Sequence, residues 1–161
     1  MPLAAPITAE EVEVAEALAA QLNTLSAAGA FSQSFDARVI SVPKMDLKEL
    51  ADVKVSLIAG DSDETDAGRG FIWVNTSVLV GIMKKVSARE TNDGLEVDES
   101  EIPGLLGFFQ ELRNAVRQGI PALQAAWMGT ERGALFGDVA LKNQAVFSKA
   151  CLVKHRMRRP R

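Results

Sequence analysis

Between residues 60 and 70 the chain reads Gly-Asp-Ser-Asp-Glu-Thr-Asp-Ala-Gly-Arg-Gly. Its carboxylates, Asp61, Asp63, Glu64 and Asp66, form the one local cluster whose residue types suit a hard cation such as calcium, which takes several oxygens at close quarters. The spacing lacks the central glycine and closing glutamate of an EF-hand loop, so a solvated acidic loop is expected instead. Gly60, Gly68 and Gly70 do not make a phosphate-binding loop, because no Gly-Lys-Ser/Thr follows. The chain has one cysteine, Cys151, and one histidine, His155. That excludes an internal disulfide framework and the common Cys/His zinc sites. His155 has no second histidine or cysteine nucleophile to relay with, and it sits among basic residues, so an exposed, idle side chain is expected. Cys151 is expected to act as a small core hydrophobe. No Gly-x-Ser-x-Gly elbow occurs. The acidic pairs lie in polar stretches with no pocket to raise a pKa. These observations argue against an enzyme; no catalytic residue, metal or cofactor is expected.

What remains is surface chemistry. The net charge is −3, unevenly spread. The last ten residues hold Lys154, Arg156, Arg158, Arg159 and Arg161 and no acid, and the rest of the chain is acidic. An acidic body argues against general nucleic-acid binding, whereas a basic terminus suits an acidic partner or a phosphate backbone. Phe71, Trp73, Trp127 and Phe136 are large apolar groups near loops or on a mixed sheet face, and they are candidates for a subunit interface.

The elements that position these groups follow from periodicity. Residues 8–25 predict a helix with Val14, Leu18, Leu22 and Leu25 on one face. Thr8 and Glu11 have capping-box spacing. Residues 33–42 and 53–57 alternate as strands, separated by a single helical turn over 47–51. Residues 60–70 predict a loop on composition. A long strand follows over 71–85, with Val74, Val78, Val80 and Ile82 on one side and Phe71, Trp73, Asn75 and Ser77 on the other. The two strands flanking the acidic stretch are expected to form an antiparallel hairpin with a long connection. Residues 87–99 predict a second loop. Ser100 predicts the cap of a helix in which Ile102, Leu105, Phe109, Leu112 and Val116 share a face. Gly104 and Gly107 within it predict a close-packed neighbour. Gly119 and Pro121 end it. Residues 123–130 predict a short strand, 131–143 a loop and 145–157 a last strand.

Apolar residues at 47% and charged residues at 24% exclude bulk disorder. The expected class is α+β: two layers, a mostly antiparallel sheet of about four to five strands covered by two amphipathic helices. The expected organisation is a flexible segment 1–7, a single domain 8–157 and a basic tail 158–161. No apolar run is long enough to span a bilayer, and the N-terminal residues lack a secretory pattern. A cytoplasmic setting is therefore expected, with no membrane partner.

Over residues 8–158 the ordered pattern resembles small tailed-bacteriophage proteins of the tail terminator or tail completion (neck) type. It is carried by the opening helix, Val-Ile-Ser-Val-Pro at 39–43, Met-Asp-Leu-Lys-Glu-Leu at 45–50 and Val-Lys-Val-Ser-Leu-Ile at 53–58. Arg69, Val-Gly-Ile-Met-Lys-Lys at 80–85 and Phe-Phe-Gln-Glu-Leu-Arg at 108–113 follow. The pattern ends with Leu-Lys-Asn-Gln-Ala-Val-Phe-Ser-Lys-Ala-Cys-Leu-Val-Lys-His-Arg at 141–156. The resemblance implies a structural virion protein, assembled in the host cytoplasm, that forms a ring, usually a homohexamer. Such a ring stops tail-tube polymerisation and meets the tail-tube protein on one side and a head-side connector on the other. Genomic DNA passes through without sequence-specific binding. In that setting Asp61, Asp63, Glu64 and Asp66 would line the lumen or a ring end. The basic terminus would dock an acidic neighbour. A head-completion or adaptor ring of the same junction is the alternative, and a small cytoplasmic enzyme or binding module the third. The acid-rich 60–70 stretch and the longer, more basic C-terminus depart from the family pattern.

Overall fold

The computed structural model describes residues 3–42, 47–134 and 144–161. The fold is α+β: the described residues form two helices, a mixed five-stranded sheet and a separate two-stranded hairpin. The elements run α1 (Glu10–Ala27), β1 (Ala37–Val39), β2 (Lys54–Gly68), β3 (Phe71–Lys85), β4 (Ala88–Thr91), β5 (Gly94–Val97), α2 (Ile102–Val116), β6 (Ala126–Gly133) and β7 (Val146–Pro160). The main sheet has the order β1-β2-β3-β7-β6. All its pairs are antiparallel except β1 with β2.

The helices cover one face. α1 buries Val14, Ala15, Leu18, Ala19 and Leu22, and α2 buries Leu105, Phe108, Phe109, Leu112, Ala115 and Val116. They close on Val55 and Leu57 of β2, Val74, Val78, Val80 and Ile82 of β3, and Cys151, Val153 and Met157 of β7. Phe31, Phe35 and Phe108 form a triangle of tilted and edge-on rings, 5.1–6.2 Å between centroids. On the opposite face a smaller cluster sits at one end only. There Leu50, from a 3₁₀ turn over Glu49–Ala51, covers Met83, Val146 and Ala150.

Several expectations change. The acidic stretch is strand, not loop: β2 runs unbroken to Gly68, and Arg69 and Gly70 make a tight turn into β3 in place of a long connection. Composition misleads here because β2 beyond Ile58 is polar on both faces. Its ladder is backbone bonding to β3, which needs no apolar side chain. Arg69, Gly68 and Gly70 take positive φ at that turn, where glycine adopts the left-handed region without penalty. The 87–99 segment holds a hairpin, β4–β5, whose two-residue connection is Asn92–Asp93, with Gly94 at positive φ opening β5. The basic segment 158–161 is not a tail: Arg158, Arg159 and Pro160 pair with Trp73, Ile72 and Phe71, and the Arg161 N–H donates to Gly70 O at 2.9 Å.

The N-cap of the first helix is Ala9, which offers no side-chain hydrogen bond, so the Thr8/Glu11 box does not form. Ser100 does not cap α2: a 3₁₀ turn over Glu99–Glu101 leads into the helix, and Asp98 caps that turn, accepting from Ser100 N–H at 3.0 Å. Gly104 and Gly107 lie on the exposed side of α2 with open space around them, so no close neighbour explains them. The strand expected over 33–42 contracts to Ala37–Val39. Residues 131–133 extend β6, and the rest of the 131–143 loop reading, from 135 on, lies outside the described residues.

Candidate interaction surface

Alternation along β7 sorts its side chains cleanly. Val153, His155 and Met157 point to the helix side and are buried, whereas Lys154, Arg156 and Arg158 point away from it. The register with β3 places Lys154 opposite Ser77, Arg156 opposite Asn75 and Arg158 opposite Trp73. The register of β2 places Asp63 opposite Asn75 and Thr65 opposite Trp73. Six expected site residues from three separate stretches, Asp63, Phe71, Trp73, Lys154, Arg156 and Arg158, therefore share one sheet face. Among the described residues no helix or strand packs over this half of the sheet.

The groups on this face are held in a fixed lattice. The Arg156 Nε donates to Asn75 Oδ1 at 2.7 Å, and Asn75 Nδ2 donates to Asp63 Oδ1 at 2.6 Å. The Arg156 guanidinium lies 5.8 Å from the Trp73 ring centroid, and that of Arg158 lies 3.8 Å from the Phe71 ring. A guanidinium stacked on an aromatic plane is oriented by it, yet keeps its in-plane N–H edge free for a carboxylate or phosphate. Lys154 pairs with Glu131 of β6. The bare face opens into a shallow groove of about 490 Å³ beside Asp61, Asp63, Met128 and Leu152. Met128 is 50% exposed. Gly60 is required beside this groove: a Cβ there would collide with Ser77. The Ser77 hydroxyl accepts from Asp61 N–H at 2.9 Å where β2 bulges.

The other expected residues lie elsewhere. Glu64 and Asp66 pair in register with Val74 and Ile72, so they point to the helix side of the sheet. Asp66 accepts from Gly68 N–H at 2.7 Å and pairs with Arg161 at 2.8 Å. The backbone hydrogen bond first, then Arg161, holds its carboxyl below the usual range. Arg159 donates to both carboxylate oxygens of Glu13 at 2.9 Å, tying β7 to α1. Trp127 packs against the covered core, with its indole N–H donating to Thr130 at 3.0 Å and Arg117 6.0 Å from its ring. It is therefore not on the bare face. Phe136 lies outside the described residues.

His155 is the clearest correction. It is 1% exposed, with neither ring nitrogen hydrogen-bonded among the described residues. Burial alone pushes it down to about 4, so the imidazole is neutral at pH 7. The flanking charges hid an inward position that strand alternation required. Cys151 is buried as expected, and burial pushes its thiol up to about 11.

A larger groove, about 1080 Å³, separates the β4–β5 hairpin from the start of α2. The Arg89 side chain in it is already paired with Glu96. Among the described residues no group of three or more His, Cys, Asp or Glu is placed to hold a metal ion. Among the described residues no helix is long and apolar enough to cross a membrane. No family model matches the chain, and no curated protein matches it.

Proposed function

We propose that this chain is a structural component of a phage head–tail junction, a ring subunit that ends tail-tube polymerisation. The reading rests on the ordered resemblance over residues 8–158. What favours it in the structure is the bare half of the sheet, where rigidly held charges and stacked arginines face outward and are suited to protein contacts. The site chemistry is recognition: oriented guanidinium edges and a neighbouring acidic row select partners by charge and bring them together by burying Phe71, Trp73 and Met128. No bond-making step is assigned to any residue. In this role the chain contacts copies of itself, the tail-tube protein and a head-side connector, and DNA passes without sequence readout.

Adding the purified chain to a polymerising tail-tube protein tests this. Tubes should stop growing and carry extra density at one end in electron micrographs. Unchanged tube lengths with no bound chain would overturn it. Capture of the portal-side connector without the tube protein would move the assignment to an adaptor ring.

A further inference from the structure

We infer that the bare face docks a second copy of this chain, the two related by a two-fold axis running along β3. The order of charge across three strands carries the inference. At one level stand Asp63 on β2, Asn75 on β3 and Arg156 on β7. Beyond it Lys154 stands opposite Ser77, and Asp61, in the β2 bulge, donates its backbone N–H to the Ser77 hydroxyl and lines the same groove. Within one copy the acidic and basic rows are two strand spacings apart, about 10 Å, which Asn75 bridges but no ion pair spans. A second copy turned about β3 lays its β7 over the first copy's β2, and its β2 over the first copy's β7. Asp63 of each copy then meets Arg156 of the other at the same level. An axis across the strands would instead set acid on acid and base on base. Charge order thus selects one of the two face-to-face arrangements.

Lys154 is already paired with Glu131 of β6, but the other two members of the basic row have capacity to spare. Among the described residues Arg158 has its ring contact with Phe71 and no ion pair, and Arg156 spends only its Nε, on a neutral amide. Trp73 lies on the axis strand, so its ring meets its own mate at the centre. Three strands give a footprint of roughly 15 by 25 Å. That is below the ~800 Å² per partner of a standard interface, so micromolar, salt-sensitive pairing is expected. This contact stands apart from the ring reading, because a two-fold contact closes at two copies whereas a ring contact runs head to tail.

Sedimentation of the full chain over roughly 1–100 µM should show a monomer–dimer equilibrium that weakens with salt. Arg156→Glu with Arg158→Glu should weaken it at least about tenfold, and Asp61→Lys with Asp63→Lys equally, one such factor being about 1.4 kcal/mol. An equimolar mixture of the two variants should regain a dimer holding one of each. Cross-linking with a bis-maleimide of about 10 Å reach does not depend on the charge variants. Asn75→Cys should give a covalent dimer, and Glu16→Cys on α1 should not. A wild-type chain that stays monomeric overturns the proposal, as does failure of the mixture or of the Asn75→Cys link. A larger ring indifferent to both double variants would overturn it and leave the ring reading standing. Acids that only line a DNA channel would leave association unchanged on their reversal.

Discussion

On the helix side of β3 and β7 lie Val74, Val78, Val80, Cys151, Val153 and Met157, all buried. One residue along in either strand, the neighbours are Trp73, Asn75, Ser77, Lys154, Arg156 and Arg158. The same backbone ladder serves both faces. What differs is how each set of side chains is stabilised. The covered face depends on excluding water from apolar groups, about 25 cal/mol per Å². The bare face depends on stacking and hydrogen bonds among half-exposed groups, each worth about 1 kcal/mol or less. One face supplies most of the stability, which leaves the other free for the recognition role proposed above.

The comparison breaks if the two faces respond alike to truncation. Phe108→Ala removes a fully buried ring from the Phe31–Phe35 triangle and should cost about 3–5 kcal/mol in urea unfolding.

Next in size is an acid effect seated at His155. Its folded pKa, about 4, lies below the ordinary 6.5. The unfolded chain therefore takes up a proton first, and stability falls as pH drops from about 6.5 towards 4. The full loss is about 3 kcal/mol. His155→Leu should keep stability at pH 7 near wild type, because it removes two buried nitrogens without partners. It should also flatten the difference from wild type across that pH window. An unchanged slope would mean His155 is reached by water.

Trp73→Ala on the bare face should cost about 1 kcal/mol, the scale of one cation–π contact and partial burial. Arg158→Ala should cost still less, about 0.5 kcal/mol. Losses here as large as at Phe108 would show that the bare face belongs to the stabilising core.

Much of this contrast is legible in the sequence, for a physical reason. β3 and β7 alternate because one side must be dry, and α2 shows its stripe for the same cause. The α+β class follows. What stays hidden is structure held by backbone bonding alone. Residues 60–68 carry no apolar pattern, yet pair with β3 because a long partner strand is there to pair with. Asn92, Asp93 and Gly94 are readable turn residues for β4–β5, outweighed by the polarity around them. The basic terminus reads as solvated when its charges are counted, and as strand when they are taken in alternate positions. That second reading would have placed His155 inside the core and Arg156 on the opposite face. The meeting of Asp63 with Arg156 across Asn75 depends on register between distant segments, which no local pattern encodes.

Among the elements described, β7 comes last in the chain but sits between β3 and β6 in the sheet. During synthesis, then, Phe71–Lys85 emerges long before its neighbour exists, and Ala126–Gly133 has no sheet to join until Val146–Pro160 follows. The sheet closes only after these residues clear the ribosome, through contacts distant in sequence, which makes folding slow and late. A nascent chain arrested before Val146 would carry Val74, Val78 and Val80 on an open edge. The bare face, built jointly by β2, β3 and β7, would not yet exist, so under the proposed pairing copies could engage one another only after β7 has emerged.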